Sequence, residues 1–226
     1  MLRQAGPGKR SLLTEVEAKE LLRKAGMPVI DTRLARTGRE AVSLAREMGF
    51  PVAMKIISPD IVHKTDAGGV KLGLANAAQV EKAHHDIMSS VRQKAPQAQI
   101  EGVSVQKMAR PGTELIIGMN KDEQFGPVIM FGLGGIFVEI LKDVSFRLVP
   151  LTPGDAAEMV AEIKGFRLLQ GFRGQEPVNI SLLEDLIVKI SEFIDKNPQI
   201  KELDLNPVFG YRDSLAIVDA RIILEP

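Results

Sequence analysis

The sequence predicts a mixed fold of the α/β or α+β class, with helices and strands alternating along the chain. Two observations carry this prediction: amphipathic segments with helix-capping signals recur, and short runs rich in Val and Ile lie between them. Amphipathic segments with caps are typical of helices, and short runs rich in Val and Ile are typical of strands. The 226 residues, 45% hydrophobic and 26% charged, suffice for one large or two small cores.

Composition excludes several classes of protein. Basic and acidic residues number 29 each, so no field of one sign favours a nucleic-acid or membrane partner. The absence of Trp and the single Tyr make base-stacking surfaces improbable. The absence of Cys excludes disulfides and thiolate metal sites, and no apolar run reaches the roughly 20 residues of a membrane span. We expect a cytoplasmic protein.

Four helix starts share one signal, a capping Ser, Thr or Asn followed three residues later by Glu or Gln. These pairs are Thr14 with Glu17, Thr37 with Glu40, Asn76 with Gln79, and Ser181 with Glu184. The first two helices should stop at Gly26 and Gly49. The third, "AAQVEKAHHDIMSSVRQK", should bury the stripe Val80, Ala83, Ile87 and Val91, with His84 and His85 in solvated or packing roles.

Strands are predicted in the short apolar runs between the helices. They are "VAMKII", "GVKLGL", "EGVSVQKM", "ELIIGMN", "PVIMFGL", "ELDLNPVFG" and "LAIVDARIIL". The segment "KMARPGTE", residues 107 to 114, interrupts two of them. It is either a hinge between two subdomains or an ordinary hairpin turn.

A lysine and a histidine in "KIISPDIVHKTDAGG" are candidate functional residues. Lys55 lies in an apolar run, so it either meets an anion in a buried strand or reaches solvent from an edge strand. His63 follows in a loop that ends at Gly68 and Gly69. These glycines either let backbone amides approach a phosphate or form only a turn.

A second glycine cluster, "MFGLGGIFVE", contains Gly134 and Gly135 but does not match a dinucleotide fingerprint. It fits a tight turn near a ligand. Arg147 follows among apolar residues, as a phosphate partner or as an exposed charge on a half-buried strand.

The motif "ELDLNPV" indicates a cation site. On a strand, Asp204 and Asn206 project to one face, and Asp219 interrupts the next apolar run. Three such oxygen-bearing side chains suit Mg²⁺ held together with phosphate oxygens. The alternative is turn capping by Asn206 and a solvated Asp219.

Three stretches in order match one protein family: "GFPVAMKIISPDIVHKTDAGGVKLGL", "VQKMARPGTELIIGMNKDEQFGPVIMFGLGGIFVEILKDVSFRLVPL" and "ELDLNPV". From about Leu12 to Ile223, the chain resembles the ATP-grasp β-subunit of ADP-forming acyl-CoA synthetases of the acetate:CoA ligase type. The resemblance implies an ATP-grasp fold whose two subdomains, residues 1–107 and 108–226, enclose a nucleotide cleft.

The resemblance also implies roles for individual residues. His63 would carry phosphate between subunits, and the bound species would be ATP or ADP with Mg²⁺. Nucleotide contacts would come from Lys55, Gly68, Gly69, Gln106, Lys107, Met108, Glu114, Gly134 and Gly135. Arg147 would face the phosphate-transfer side, and Asn206 and Asp219, with Asp204 beside them, would hold the metal.

The family's CoA-binding and ligase modules have no counterpart in this length of sequence. We therefore expect a separate α-subunit that carries them, in an α2β2 assembly, and reversible formation of ATP from acyl-CoA, ADP and phosphate. Two other readings stay open: an ATP-sensing regulatory module and a stand-alone ATP-grasp carboxylate-amine ligase.

Overall fold

The computed structural model describes residues 11–61, 63–135 and 142–225. The chain divides into two compact units. We call residues 14–19 and 30–110 the small unit, and residues 1–13, 20–29 and 111–226 the large unit. The predicted boundary between residues 107 and 108 lies near the end of the small unit at residue 110, whereas residues 20–29, predicted in the first subdomain, belong to the large unit. The predicted domain bounds stay a prediction.

The small unit contains a four-stranded antiparallel sheet in the order β1-β4-β2-β3. Its strands are β1 (Thr32–Ala35), β2 (Val52–Ile57), β3 (Val70–Leu74) and β4 (Gly102–Lys107). Helices α2 (Gly38–Met48) and α3 (Ala77–Lys94) pack on the sheet through a core that includes Met54, Ile56, Val103 and Val105. The predicted stripe of α3 is confirmed as buried. Each buried Val or Ile side chain of this stripe stabilises the fold by about 1.5–3 kcal/mol.

Helix α1 (Glu15–Lys24) contributes residues 15–19 to the small unit and the remainder to the large unit. Strand β2 is buried along its whole length. It lies between β4 and β3, so the edge-strand alternative for Lys55 is wrong.

The large unit contains a six-stranded antiparallel sheet in the order β10-β8-β5-β6-β7, with β9 also paired to β8. The strands are β5 (Thr113–Asp122), β6 (Gly126–Leu133), β7 (Val144–Leu148), β8 (Ile200–Gly210), β9 (Leu215–Ile217) and β10 (Arg221–Leu224). Its helices are α4 (Pro153–Glu162), α5 (Phe166–Leu169) and α6 (Ile180–Asp195). Strands β4 and β5 belong to different sheets, so the hairpin-turn alternative for "KMARPGTE" is wrong.

Three of the predicted helix caps are confirmed. The side chains of Thr14, Thr37 and Asn76 each accept a hydrogen bond from the backbone N–H three residues later. The fourth cap, Ser181, is wrong, because the side chain of Asn179 caps α6 instead and accepts from the N–H of Leu182. Both residue types cap well, so local sequence did not separate them.

Helix α4 was not predicted. Thr152 caps it, and the carboxylate of Asp155 accepts from the backbone N–H of Thr152, which completes a capping box. The expected signal required Glu or Gln at this position, and the shorter Asp performs the same role here.

The run "LAIVDARIIL" was predicted as one strand, and this is wrong. It divides into β9 and β10, and Asp219 lies between them. The Asp219 carboxylate accepts from the N–H of Ala220. Opposite the break stands Pro207, which has no N–H to donate to a strand ladder but accepts a hydrogen bond from Val218.

Candidate functional site

A buried carboxylate in the small unit binds three lysines. The side chain of Glu15 is 1% exposed. Its Oε1 accepts hydrogen bonds from Lys19 Nζ and Lys55 Nζ, each at 2.9 Å. Its Oε2 accepts one from Lys64 Nζ, also at 2.9 Å. The three lysines come from α1, from β2 and from the loop that carries His63.

Sheet register explains why these groups meet. Gln106 of β4 lies opposite Thr32 of β1 on one side and opposite Ala53 of β2 on the other. Lys55, two residues after Ala53, lies opposite Ser104, two residues before Gln106. Because alternate residues of a strand share a face, the side chains of Thr32, Gln106 and Lys55 project to the same side of the sheet. Lys19 meets two of them there, with Nζ 3.0 Å from Thr32 Oγ1 and 2.6 Å from Gln106 Oε1.

The charges of this cluster act strongly on one another. Burial by itself raises the pKa of Glu15, but Lys19, Lys55 and Lys64 outweigh it and hold the pKa of that carboxyl well below its usual range. The side chains of Glu15 and Lys19 are almost completely buried, that of Lys55 is 9% exposed and that of Lys64 is 24% exposed. Ion pairs in such a place are strong, because attraction between charges is stronger in a low dielectric.

His63 is exposed at the start of the loop beside this cluster. Its carbonyl oxygen accepts from the N–H of Ala67 at 3.3 Å. Lys64, the next residue, is tied to Glu15. The ion pair therefore ties the residue after His63 to helix α1.

The two loop glycines satisfy local packing. The N–H of Gly68 donates to Thr65 O and that of Gly69 to Lys64 O. Gly68 has a φ of 71°, which favours glycine. A Cβ at Gly69 would overlap the side chain of Ile56. Both amides are thus used within the turn, and their contact with a phosphate stays a prediction.

Three of the predicted nucleotide contacts, Gln106, Lys107 and Met108, lie at the end of β4 and directly after it. The side chain of Gln106 is buried against Lys19, and Lys107 is exposed. The N–H of Met108 donates to Pro51 O at 3.2 Å.

In the large unit, Asp204, Asn206 and Asp219 lie close to one another along β8. Val208 pairs with Ile217, and Asp204 pairs with Arg221. Both pairings keep one antiparallel register, which continues through the break and sets Asn206 opposite Asp219. The predicted convergence of these side chains thus agrees with the strand geometry.

Electrostatics of Asp204 agree with this arrangement. Burial raises the pKa of its carboxyl, and the negative charges of Asp219 and Glu202 raise it further, with a partial offset from Arg221. Mutual repulsion of this kind is relieved by a bound cation. Within the described residues, no group of three or more His, Cys, Asp or Glu side chains forms a preassembled metal cage. Two carboxylates and an amide still fit Mg²⁺, which keeps several waters and binds phosphate oxygens.

A cavity of about 630 Å³ lies in the large unit. Three predicted nucleotide contacts, Glu114, Gly134 and Gly135, line it. The N–H of Gly134 donates to Glu114 O at 2.7 Å, which holds the two segments together. Its other walls include Leu168, Phe172, Arg173 and Gln175, which were not predicted. In the sequence, the signal for them was the adjacent pair Phe172 and Arg173. In the structure, the Arg173 guanidinium lies 5.3 Å from the centre of the exposed Phe172 ring.

Arg147 is not brought to the Asp204 cluster. Register places Asp204, Gly118, Met130 and Phe146 on one face of the sheet, so Arg147 lies on the other. There it forms an ion pair with Glu162 at 2.8 Å, on helix α4. This position favours a structural role, and contact with phosphate stays a prediction.

Comparison with known proteins identifies the family of this chain. The model of a family described as the ATP-grasp domain matches residues 4–224. The β-subunit of an ADP-forming acetate–CoA ligase from Pyrococcus furiosus is 52% identical over 94% of this chain and 91% of its own. This chain belongs to the ATP-grasp family of ADP-forming acyl-CoA ligases.

Two further relatives of this ATP-grasp protein extend the comparison. An ADP-forming acetate–CoA ligase from Archaeoglobus fulgidus is 47% identical over 92% of this chain, which spans 30% of that longer protein. An acetyl-coenzyme A synthetase from Ca. Korarchaeum cryptofilum, solved with coenzyme A and Ca-AMPCP, superposes with a TM-score of 0.93. It is 50% identical, and the match covers 96% of this chain and 94% of that one. The predicted family and ATP-grasp fold are confirmed.

Proposed function

We propose that this chain is the nucleotide-binding β-subunit of an ADP-forming acyl-CoA ligase and that it transfers a phosphoryl group between His63 and ADP. The observation that carries the proposal is the position of His63 next to Lys64, which shares the buried Glu15 carboxylate with Lys55. The family relationship supports the same activity, because the similar proteins are ligases of this type.

The chemistry follows from the residues of the small unit. Neutral imidazole at His63 uses the lone pair of one ring nitrogen to attack the γ-phosphorus of ATP. An N–P bond forms while the bond from that phosphorus to the bridging oxygen breaks, and its electron pair leaves with ADP. Lys55 and Lys64 offset the charge that develops on the phosphoryl oxygens.

In the large unit, Asp204, Asn206 and Asp219 supply the oxygen ligands for Mg²⁺. The metal neutralises phosphate charge when it is bound. These three side chains would hold it, and the raised pKa of Asp204 shows that its negative charge is disfavoured while no cation is bound.

A partner supplies the remaining half of the reaction. The Pyrococcus relative is a β-subunit, and the Archaeoglobus relative carries the equivalent region within a chain about three times as long. We propose an α-subunit with the CoA-binding and ligase modules, in an α2β2 assembly. The cytoplasmic location stays a prediction. Within the described residues, no helix is long and apolar enough to cross a bilayer.

Incubation with ATP labelled in its γ-phosphate tests the proposal directly. We expect an acid-labile, base-stable label that His63→Ala abolishes. His85→Ala is the matched control, because His85 is also exposed but lies on α3. With the α-subunit added, acyl-CoA should drive ATP formation.

Other results would point elsewhere. Full ATP formation by His63→Ala would contradict the relay. Release of an acyl phosphate would favour a carboxylate-amine ligase. Nucleotide binding without any transfer in the presence of the α-subunit would favour a sensing module.

A further inference from the structure

Glu15 joins three separate elements of the small unit. It stands in the first turn of α1, and it binds Lys55 of β2 through Oε1 and Lys64 of the His63 loop through Oε2. Lys55 is almost fully buried, and the Lys64 side chain is 24% exposed. A carboxylate that uses both oxygens in this way fixes the separation of the two ammonium groups.

The anchor itself is rigid. Lys19, one helical turn after Glu15, donates to the same Oε1 and also to Thr32 and Gln106 on two neighbouring strands. Its side chain is completely buried. Glu15 is therefore held from the sheet side by a fully engaged lysine, whereas Lys64 approaches it from a loop.

We propose that Glu15 is a positioning residue that holds Lys55 and Lys64 as a pair of fixed cations and, through Lys64, sets the place of His63. The inference rests on the proposed phosphoryl transfer, and it adds a group that does not itself touch the nucleotide. A lysine side chain has four rotatable bonds, and holding it in one position costs conformational entropy. Because Glu15 holds both lysines before the nucleotide binds, less entropy is lost in reaching the transition state.

The choice of a carboxylate has a specific consequence. Glutamine offers one oxygen acceptor, and its NH₂ group can only donate, so it cannot accept from lysines on both sides. Glu15→Gln therefore releases Lys64, Lys55 or both. The substitution also removes a negative charge beside the two cations, and this removal favours binding of an anionic nucleotide. We therefore expect the variant to transfer phosphate more slowly but to bind nucleotide with unchanged affinity. General unfolding would reduce both.

The first arm of the test needs no activity. Limited acetylation followed by peptide mass spectrometry measures how fast each lysine amine reacts. We expect acetylation of Lys64 to rise by about threefold or more in Glu15→Gln, relative to the exposed Lys71 of β3, because the ion pair no longer occupies the amine. Unaltered reactivity of Lys64 would overturn the proposal.

A matched control lies on the same helix. Glu20 pairs with Lys24 at 2.7 Å in the same i,i+4 arrangement as Glu15 with Lys19, but both side chains are largely exposed. Glu20→Gln should leave Lys64 reactivity and phosphoryl transfer unchanged. An equal change in both variants would overturn the proposal, since the effect would then belong to the helix and not to Glu15.

The second arm measures single-turnover labelling of His63 from ATP and calorimetric binding of Mg-ADP. In Glu15→Gln we expect the labelling rate to fall about tenfold or more, with the Kd for Mg-ADP within about threefold of the unchanged protein. Equal labelling rates would overturn the inference alone. Failure of the unchanged protein to bind Mg-ADP would contradict the proposed function, and the acetylation arm would still decide whether Glu15 places Lys64.

A second variant covers the case in which Glu15→Gln does not fold. Lys64→Gln removes only the loop side of the cluster and leaves the buried Glu15–Lys55 pair intact. We expect it to fold and to label His63 at least about fivefold more slowly, with Lys71→Gln unaffected. An unaltered labelling rate in folded Lys64→Gln would overturn the proposal.

Discussion

Lys55 Nζ lies 2.9 Å from Glu15 Oε1, although the two residues are 40 positions apart in the sequence. The pair is buried, with side-chain exposures of 9% and 1%. A lysine in the middle of an apolar strand thus finds its anion on a helix of the same unit. This contact makes stability depend on the charge of Glu15.

Glu15→Gln should lower the free energy of unfolding by about 3–5 kcal/mol at pH 7, because Lys55 and Lys19 are left without their carboxylate. The folded-state pKa of Glu15 is below its unfolded value. Its contribution is therefore fully present above the usual glutamate pKa of about 4.3, begins to be lost below that pH, and is lost completely only when the pH has fallen through the much lower folded-state pKa. Urea denaturation from pH 7 down to about pH 3.5 should show the stability gap between the two proteins beginning to narrow. A gap that is constant with pH would contradict this explanation.

Asp204→Asn should stabilise the metal-free protein at neutral pH. The folded-state pKa of Asp204 is raised, so the stability associated with its protonated form is present below about pH 3.9 and is lost as the pH rises through the folded pKa. The neutral amide removes that loss. We expect a higher Tm without Mg²⁺ and a smaller rise in Tm when Mg-ADP is added.

The exposed Asp185 of α6 provides the control for this variant. Asp185→Asn should show the same Mg-ADP response as the unchanged protein in thermal unfolding. If Asp204→Asn responds to Mg-ADP just as strongly, Asp204 does not belong to the cation site.

Gly69→Ala should destabilise the small unit by about 1–3 kcal/mol, because the new Cβ would overlap Ile56 beneath the His63 loop. Gly154→Ala serves as the comparison, since its Cβ would meet only Thr152 Oγ1 at 3.7 Å, an ordinary contact within α4. We expect that variant to be neutral or slightly stabilising. Chemical denaturation of both decides the point, and equal stabilities would show that the loop moves aside at no cost.

Asn179→Ala should destabilise helix α6 by about 1 kcal/mol, because its side chain accepts from the N–H of Leu182 at 3.1 Å. Ser181→Ala should have little effect on unfolding, since Ser181 is exposed and lies inside the helix. A larger loss from Ser181→Ala would restore the cap predicted from sequence.

Local sequence patterns predicted most elements of this fold. The 18 residues of α3 were read correctly because an apolar stripe and an asparagine cap specify a helix without distant contacts. The bounds of β2 were also correct, since Pro51 and Pro59 limit that run. Helix α5 was missed because four residues are too few to show a period.

The candidate site was only partly predictable. Asp204 and Asn206 were placed on one face correctly because β8 alternates up to Asn206, with Leu203 and Leu205 buried on the other face, and the register shift with β5 comes only between Leu205 and Val208. The break at Asp219 was missed because it lies opposite Pro207 of β8, a neighbour that the run "LAIVDARIIL" does not itself reveal. Arg147 was expected near phosphate, but which face it occupies depends on the register of three strands.

By itself the sequence determined the alternation of helices and strands, the family, and the presence of an unexplained lysine and histidine in one short stretch. Only the tertiary structure decided that Glu15 is the common partner of Lys55 and of Lys64, the residue after His63. In the sequence, Glu15 looks like an ordinary acidic residue of a first helical turn, a position that suits the helix dipole. Its role arises from burial against β2 and the His63 loop, where desolvation makes each charge depend on the others, and no local pattern encodes such long-range contacts.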